Sequence, residues 1–219
     1  MSSYNHEQLN KLNQPCANIN ARHSSATAKS LSSDEMSGLE PTIYLAKGAK
    51  VMLTMNLWAS VGLCNGATGT VVNMIYAINH RPPDLPIAVM VRIDDYRGPS
   101  FSELEQSSVP IGPITISSQS VEGIHERQQI PLKLACALTI HKSQGLTLPK
   151  ACINIGKSEK TSGISYVAIS RVKTLSSLVI EPRTLDRLTS IKSHTTLQYR
   201  LQKESRLNHI AETTSSALY

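Results

Sequence analysis

The fold of this chain is decided by a strand that runs directly into a polar loop, in the stretch Gln129-Ile-Pro-Leu-Lys-Leu-Ala-Cys-Ala-Leu-Thr-Ile-His-Lys-Ser-Gln-Gly-Leu-Thr147. The apolar run over residues 132–139 predicts a buried strand, and the polar residues after it predict the start of a helix. In open α/β sheets, ligands bind outside the carboxyl ends of the strands. We therefore expect a binding site at the end of this strand.

The residues at this strand end carry groups that suit a phosphate or a ribose. Thr139, His141 and Lys142 supply a hydroxyl, an imidazole and an ammonium group. Gln144 adds an amide, and Gly145 lets backbone approach a ligand closely. A structural interpretation is also open, in which hydroxyls cap a helix, His141 is packed and Gln144 is solvated.

Downstream of this segment, the sequence predicts an α/β arrangement. Strand patterns at residues 151–155 and 178–181 flank a helical pattern at residues 163–172. Such alternation is typical of an α/β sheet. Apolar residues at helical spacing among Lys and Arg over residues 184–209 predict one or two surface helices.

Upstream of the segment, the sequence predicts β structure. Turn residues, among them Asn65-Gly66, separate four strand patterns at residues 50–54, 70–76, 87–93 and 111–116. A small antiparallel barrel fits this spacing. Residues 1–41 hold few aromatic or branched apolar side chains, so we expect a short helix near residues 6–12 followed by a loose stretch.

Composition excludes several classes of protein. With 219 residues and 40% hydrophobic residues, the chain is long enough for one large or two small domains. No apolar run approaches the roughly 18 residues that cross a bilayer, so we expect no membrane insertion and an intracellular protein. The four cysteines are scattered, and we expect reduced thiols and no zinc. The net charge of +6 is compatible with a polyanionic partner without proving one.

Two motifs in this chain resemble motor motifs of a known enzyme family. The pattern Thr139-x-His141-x-x-Gln144-Gly145, followed by Tyr166-Val-Ala-Ile-Ser-Arg171, resembles superfamily 1 helicases. The likeness is to the petite-integration-frequency (Pif-type) family of ATP-dependent DNA helicases and its RecD-like relatives. Upstream, Leu45-Ala-Lys-Gly-Ala-Lys-Val-Met-Leu-Thr-Met-Asn-Leu57 and Gly62-Leu-Cys-Asn-Gly-Ala-Thr-Gly-Thr-Val71 look like the accessory barrel of that family.

This resemblance implies an α/β fold, a partial second RecA-like motor domain with an inserted small SH3-like β-barrel domain. Four segments follow. Residues 1–41 are an N-terminal remnant of the second motor domain, partly disordered, and residues 42–130 are the accessory β-barrel domain. Residues 131–183 carry the RecA-like motor domain with the helicase motifs, and residues 184–219 form a C-terminal helical tail.

The resemblance also assigns roles to residues. Arg171 is the arginine finger, whose planar guanidinium stays charged and can bridge two oxygens of a γ-phosphate. Arg171 would then be catalytic. Gln144, Gly145 and Arg171 would bind the nucleotide. Thr139, His141 and Lys142 would bind DNA. Without the resemblance, Arg171 could simply pair with a surface carboxylate.

For the intact protein, the resemblance implies coupling of ATP hydrolysis to translocation on single-stranded DNA and to duplex unwinding. ATP and Mg²⁺ are its expected cofactors, and DNA junctions, DNA repair and recombination its expected context. A first motor domain, missing from this chain, is the expected protein partner. Nucleus and mitochondrion both remain open as compartments.

One segment satisfies a relaxed phosphate-loop pattern, Ala151-Cys-Ile-Asn-Ile-Gly-Lys-Ser158. We interpret it as an extended strand with Lys157 in a solvated turn, because a phosphate loop needs small residues that turn N–H groups toward phosphate. No other Gly-Lys-Ser/Thr occurs in the sequence. We therefore expect this chain to bind no nucleotide or metal alone and to be inactive as an ATP hydrolase alone.

Other functions remain open from the sequence. The chain could be a fragment, a separated gene piece or a degenerate copy, and the alternative function is a non-catalytic nucleic-acid-binding module derived from a helicase. A weaker alternative is a nucleotide hydrolase that uses Lys157. Trp58 could pack in the barrel, form a loop lid or stack on a DNA base.

Overall fold

The computed structural model describes residues 2–99, 101, 108–120, 123–156, 163–181, 189 and 195–216. The chain divides into two compact units, Met1–Thr139 and Ile140–Tyr219. The unit boundary therefore follows Thr139, whereas the sequence interpretation drew a domain boundary after residue 130.

The first unit contains two helices and ten strands within the described residues. In chain order these are α1 (Ser2–Lys11), β1 (Ala17–Asn20), β2 (Arg22–His23), α2 (Ala26–Ser30), β3 (Thr42–Leu45), β4 (Lys50–Leu53), β5 (Thr68–Ile75), β6 (Ala88–Ile93), β7 (Ser108–Ile111), β8 (Ile114–Ser120), β9 (Gly123–Gln129) and β10 (Leu132–Leu134).

The main sheet of this unit has five antiparallel strands in the order β10-β4-β5-β6-β7. Its strands alternate as half-buried strands do: in β6, Val89 and Val91 are buried, whereas Arg92 is exposed. Pairing among the described residues leaves the sheet open between β10 and β7. The predicted strands are thus present, but the predicted closed barrel is not confirmed.

One hydrophobic core unites this sheet with α1 and with the two-stranded β1-β3 sheet. Ile19, Leu45, Leu53, Val91 and Ile130 are among its fully buried or nearly fully buried side chains. Leu9 brings α1 into the same cluster. Burying such side chains contributes roughly 1.5–3 kcal/mol each, so this core holds the unit together.

A second, smaller core lies beside the three-stranded sheet β2-β9-β8. It consists of Ala28, Met36 and Leu39, all with no exposed surface. The fully buried Arg127 of β9 donates to the backbone carbonyls of Ala28 (2.8 Å), Leu39 (2.8 Å) and Leu31 (2.7 Å). Because an arginine offers five N–H groups, one side chain holds the end of α2 and the segment after it.

Residues 1–41 differ from the loose stretch that the sequence predicts. The predicted helix near residues 6–12 is α1, which begins earlier. After it, β1 pairs with β3, β2 pairs with β9, and α2 is capped by Ser25 Oγ, which accepts from Ala28 N at 3.0 Å. The apolar residues of this segment are few, but they are buried by the strands that follow.

Two sequence predictions in this unit are wrong about strand length. The continuous strand predicted at residues 111–116 is two strands, because Gly112 and Pro113 separate β7 from β8. The strand predicted over residues 132–139 ends at Leu134, and it pairs with β4 of the first unit. The residues after Leu134 form bends and turns.

The second unit has the predicted strand, helix, strand order within its described residues. β11 (Ala151–Asn154) pairs in parallel with β12 (Leu178–Glu181), and α3 (Ile164–Ile169) lies between them in sequence. A longer helix, α4 (Thr195–Ser216), follows. The predicted tail helices over residues 184–209 fall partly outside the described residues. None of the described helices is both long and apolar enough to cross a bilayer.

Candidate functional site

The predicted helix start at residues 141–145 is a single 3-10 turn, His141–Ser143, in the second unit. Ser143 is buried, and its hydroxyl donates to the Ile140 carbonyl at 2.7 Å. The side chains of His141 and Gln144 are exposed. The Ser143 hydroxyl is therefore bonded within the turn, whereas the His141 imidazole and the Gln144 amide are exposed.

Gly145 follows this turn with a positive φ of 83°. A side chain built on it would meet nothing within 4 Å, and the residue is exposed. The backbone here is unobstructed, and the approach of a ligand to it stays a prediction. Lys142 lies within the 3-10 turn.

Arg171 lies in the turn after α3, because the helix predicted over residues 163–172 ends at Ile169. Its guanidinium makes three hydrogen bonds: Nε to the Val167 carbonyl (2.7 Å), Nη1 to the Leu146 carbonyl (3.3 Å) and Nη2 to Ser170 Oγ (2.8 Å). A guanidinium carries five N–H groups, so these three bonds do not exhaust it. Its bonded partners are backbone and hydroxyl oxygens, with no carboxylate among them.

The two predicted motifs are joined through the backbone. Besides the Arg171 bond to Leu146, the Leu148 N–H donates to the Arg171 carbonyl at 2.7 Å. Leu148 and Val172 form a parallel bridge. The loop after Gly145 and the turn that carries Arg171 are thus fixed to each other over a separation of about 25 residues. Gln144 and Gly145 therefore lie in the segment directly before the residue that Arg171 contacts.

Thr139 is the last residue of the first unit. It is half-buried. The segment before it is held by Asn5 of α1, whose side-chain oxygen accepts from Ala137 N (2.7 Å) and whose Nδ2 donates to the Ala137 carbonyl (3.3 Å). Sequence reasoning missed Asn5, because nothing in its surroundings indicates a partner 132 residues away.

The segment that satisfies the relaxed phosphate-loop pattern begins with a strand, β11, as predicted. Asn154 Oδ1 accepts from Gly156 N at 2.9 Å, which turns the chain at the strand end. Lys157 and Ser158 lie outside the described residues, so the prediction of a solvated Lys157 stays a prediction. Among the described residues, no group of three or more His, Cys, Asp or Glu side chains could hold a metal ion.

A tryptophan marks another surface, in the first unit. The Trp58 loop, residues 57–63, contains the 3-10 turn Ala59–Val61 and a bridge between Trp58 and Leu63. The Trp58 side chain is 49% exposed and Leu57 is 38% exposed. Trp58 is thus outside the core, which disfavours packing in the barrel.

Comparison with known proteins shows a similarity to Pif1 helicases. Residues 40–74, from the end of the N-terminal segment through most of β5, match the family described as DNA helicase Pif1, 2B domain. The chain is 38% identical over 138 residues to the ATP-dependent DNA helicase PIF1 of Xenopus laevis, covering 62% of this chain and 19% of the relative. The chain matches a portion of the Pif1 helicases.

A second relative in this family is the ATP-dependent DNA helicase PIF6 of Trypanosoma brucei brucei, 29% identical over 179 residues. The match covers 82% of this chain and 21% of that protein. The chain therefore spans about a fifth of the length of the curated Pif1 relatives it matches.

Solved Pif1 structures agree in fold. The crystal structure of Pif1 helicase from Candida albicans superposes with a TM-score of 0.66 at 22% identity, covering 92% of this chain and 47% of that one. A structure of two coordinating Pif1 helicases unwinding forked double-stranded DNA gives 0.62 at 27% identity, covering 84% and 37%. Bacteroides sp. Pif1 in complex with ADP-AlF4 gives 0.53 at 25% identity, covering 82% and 37%. These structures establish that the chain has an α/β fold similar to the RecA-like helicase fold of the Pif1 helicases.

Proposed function

We propose that this chain is a portion of an ATP-dependent DNA helicase that couples ATP hydrolysis to translocation on single-stranded DNA and to duplex unwinding. The observation that carries the proposal is the bond from Arg171 to the Leu146 carbonyl, two residues after Gln144. It ties together two motifs that are separate in sequence and that the resemblance assigns to one nucleotide cleft. The identity to a protein named as an ATP-dependent DNA helicase supports the same function.

The nucleotide side of this proposal rests on Gln144, Gly145 and Arg171. Gln144 and Gly145 are exposed, and the space around the Gly145 backbone is open, so their polar groups can meet a phosphate or ribose. Arg171 adds a permanent positive charge on the same piece of structure. These residues fit the edge of a nucleotide site, and ATP with Mg²⁺ would supply the phosphoryl transfer that drives movement.

The hydrogen bonds of Arg171 are compatible with a role as an arginine finger. Its Nε bond to Val167 fixes the side chain on the end of α3, while its bonds to Leu146 and Ser170 are made to neutral oxygens. A γ-phosphate oxygen is a stronger acceptor, because a charge-assisted bond is roughly twice as strong as a neutral one. The guanidinium can therefore turn from these neutral acceptors toward phosphate and neutralise the charge of the transition state.

The DNA side of the proposal rests on Thr139, His141 and Lys142. His141 is exposed at the start of the 3-10 turn, where its ring can donate a hydrogen bond to a nucleic acid. Thr139 offers a hydroxyl and Lys142 an ammonium group, both of which bind phosphate or sugar oxygens. Nucleotide-driven movement of Arg171 would reach His141 and Lys142 through the segment 144–146, which Arg171 contacts.

Several finer assignments belong to the same proposal. The five-stranded sheet would be the accessory domain, of the SH3-like barrel type, and the second unit would carry part of the second RecA-like motor domain. The first motor domain would provide the phosphate loop and the Mg²⁺ ligands. DNA junctions would be substrates in repair and recombination, in the nucleus or a mitochondrion.

The test is the Arg171→Ala substitution in a full-length helicase that carries this chain. DNA-stimulated ATP hydrolysis should fall by about 10³-fold, because an arginine finger contributes on that order to kcat. Binding of a single-stranded oligonucleotide should change little. Lys173→Ala, an exposed cation two residues away with no assigned role, should leave hydrolysis unchanged. Undiminished hydrolysis by Arg171→Ala would refute the assignment.

The 219-residue chain itself gives a second test. Purified alone, it should show no ATP hydrolysis with or without single-stranded DNA. DNA-stimulated hydrolysis that disappears in Lys157→Ala would instead favour an independent hydrolase. If the full-length protein binds DNA but never hydrolyses ATP, it is the nucleic-acid-binding module considered from the sequence.

A further inference from the structure

We infer that the Trp58 loop is a stacking site for one unpaired base of a single-stranded nucleic acid, with Arg97 beside it to contact the adjoining phosphate. This inference rests on the proposed function, in so far as that function requires contact with single-stranded DNA. It adds a contact point in the first unit, on a loop that contains none of the residues assigned a role above. Three observations carry it: rigidity of the loop, exposure of the ring, and the charge beside it.

The loop is held rigid by its own backbone. The Leu63 carbonyl accepts from both Leu57 N (2.9 Å) and Trp58 N (3.0 Å), and Leu63 N donates to the Trp58 carbonyl at 3.1 Å. Below it, Asn56 Oδ1 accepts from Asn65 N at 2.8 Å. Trp58 therefore sits on a fixed backbone, and only its two side-chain torsions must be ordered when a ligand binds.

The loop is also seated against the turn that follows β6. Gly62 has a positive φ of 95°, and a side chain there would come within 2.7 Å of the Asp95 carbonyl. On the same face, Arg97 N donates to the Val61 carbonyl at 2.9 Å. The contact fixes the backbone of Arg97 against the Trp58 loop, and the Arg97 side chain is exposed.

The exposure of Trp58 is costly without a ligand. An indole that is 49% exposed leaves a large apolar face in water, although the loop beneath it is well ordered. Stacking on an aromatic side chain contributes to nucleic-acid binding regardless of sequence, because every base has a π face. Trp58 is the only tryptophan in the chain, and its backbone is held by hydrogen bonds within the loop.

The size and charge of this surface favour a nucleic acid over a protein. Within the loop, the large exposed apolar side chains are Trp58 and Leu57, and two such side chains provide far less than the roughly 800 Å² that a stable protein interface buries on each side. Of the nearby acids, Asp94 is engaged by Thr68 Oγ1 (2.6 Å) and Lys50 Nζ (3.6 Å).

The Asp95 side chain is exposed and lies two residues before Arg97 in the sequence. It lessens the local positive potential without removing the guanidinium as a phosphate donor. We therefore expect stacking to dominate over charge, so that binding at this loop depends only weakly on salt.

The experiment uses the 219-residue chain and the fluorescence of its single tryptophan. Titration with an oligothymidylate of about 12 nucleotides, near the middle of known single-strand site sizes, should quench Trp58 emission. An abasic strand of the same length and charge should bind more weakly and quench little. Strand binding is measured independently by the anisotropy of a dye on the oligonucleotide.

Three variants sharpen the test. Trp58→Ala should weaken binding about 10-fold, and Trp58→Phe, which keeps an aromatic face, should restore most of the affinity. Arg97→Ala should weaken binding and lower the salt slope by about one. Ile78→Ala removes an apolar side chain that is 90% exposed, and it should bind as the parent chain does.

The inference is overturned if the strand binds by anisotropy while Trp58 emission is unchanged, or if Trp58→Ala binds like the parent. Equal quenching by the abasic strand would also overturn it, because the backbone alone would then explain the signal. A protein partner bound through Trp58 with no response to DNA would have the same consequence. The proposed helicase function is judged separately, by hydrolysis in Arg171→Ala.

Discussion

Replacing Arg127 by methionine tests the most unusual polar contact in the first unit. The guanidinium is fully buried and donates to three carbonyls at 2.7–2.8 Å, those of Ala28, Leu31 and Leu39, and more weakly to Lys29 at 3.4 Å. Methionine retains a similar apolar stem but no donor. The substitution therefore isolates the hydrogen bonds from the packing.

The magnitude follows from the number of bonds. A buried group that loses its partner costs about 1–3 kcal/mol, and three such carbonyls at the lower end give about 3 kcal/mol. The lower end is appropriate because removal of a buried charge recovers some desolvation free energy. In a unit of this size the midpoint of thermal unfolding should fall by about 10 °C.

The assay is urea unfolding followed by far-UV circular dichroism, with thermal unfolding as a check. Arg92→Met is the matched control, since Arg92 is exposed on β6 and its loss should change stability by less than about 0.5 kcal/mol. Arg127→Lys should be nearly as destabilising as methionine, because one ammonium group cannot span carbonyls arranged around a planar fork. A loss below about 1 kcal/mol for Arg127→Met would refute the reasoning.

Three further predictions concern the same unit. Burial and the charges of Arg127 and Lys29 lower the pKa of His23, and a backbone hydrogen bond at Ala28 opposes this shift. The unfolded chain therefore binds the His23 proton more readily than the folded chain does. The free energy of unfolding should be highest above about pH 6.5 and should fall as the pH drops below that value. Urea unfolding at pH 5 and 7.5 measures this, and His23→Asn should flatten the difference. Asn5→Ala should destabilise by about 1–2 kcal/mol and speed amide exchange at Ala137, whereas Asn10→Ala, exposed on the same helix, should do neither. Gly62→Ala should cost more than Gly66→Ala, since both have φ near 95° but only the former meets backbone, at 2.7 Å; equal unfolding free energies would contradict the steric argument.

Strands with a strong apolar pattern could be predicted from the sequence. The predicted strand at residues 178–181 has the observed bounds of β12, and the one at residues 50–54 differs from β4 by one residue. In both, branched apolar residues are bounded by turn residues, so pattern and burial agree. One error arises where a turn signal lies inside an apolar run: Gly112 and Pro113 separate β7 from β8, although this Gly-Pro pair is visible in the sequence.

The N-terminal segment could not be predicted well, for a different reason. Its few apolar residues, such as Met36 and Leu39, are buried by packing against residues that lie far along the chain. The order of this segment also depends on Arg127, which belongs to β9 and binds backbone carbonyls. A carbonyl is present at every position, so its use as an acceptor leaves no trace in the sequence.

In the candidate site, too, some residues could be predicted from the sequence and others could not. Gln144, Gly145 and Arg171 could be named because their motifs resemble those of a helicase family, and the structure holds the segment after Gly145 against Arg171. The acceptor that joins them, the Leu146 carbonyl, could not be named. Trp58 could be singled out as a rare aromatic, but only the structure shows that it is half-exposed on a rigid loop.

The bond between Asn5 and Ala137 has a consequence for biosynthesis. It joins residues 132 positions apart, so α1 cannot reach its native contact until nearly the whole first unit has left the ribosome. At about 5–20 residues per second, the helix waits on the order of 10 s before this bond can form. Chaperone dependence during synthesis should therefore be set by the earliest residues of the unit.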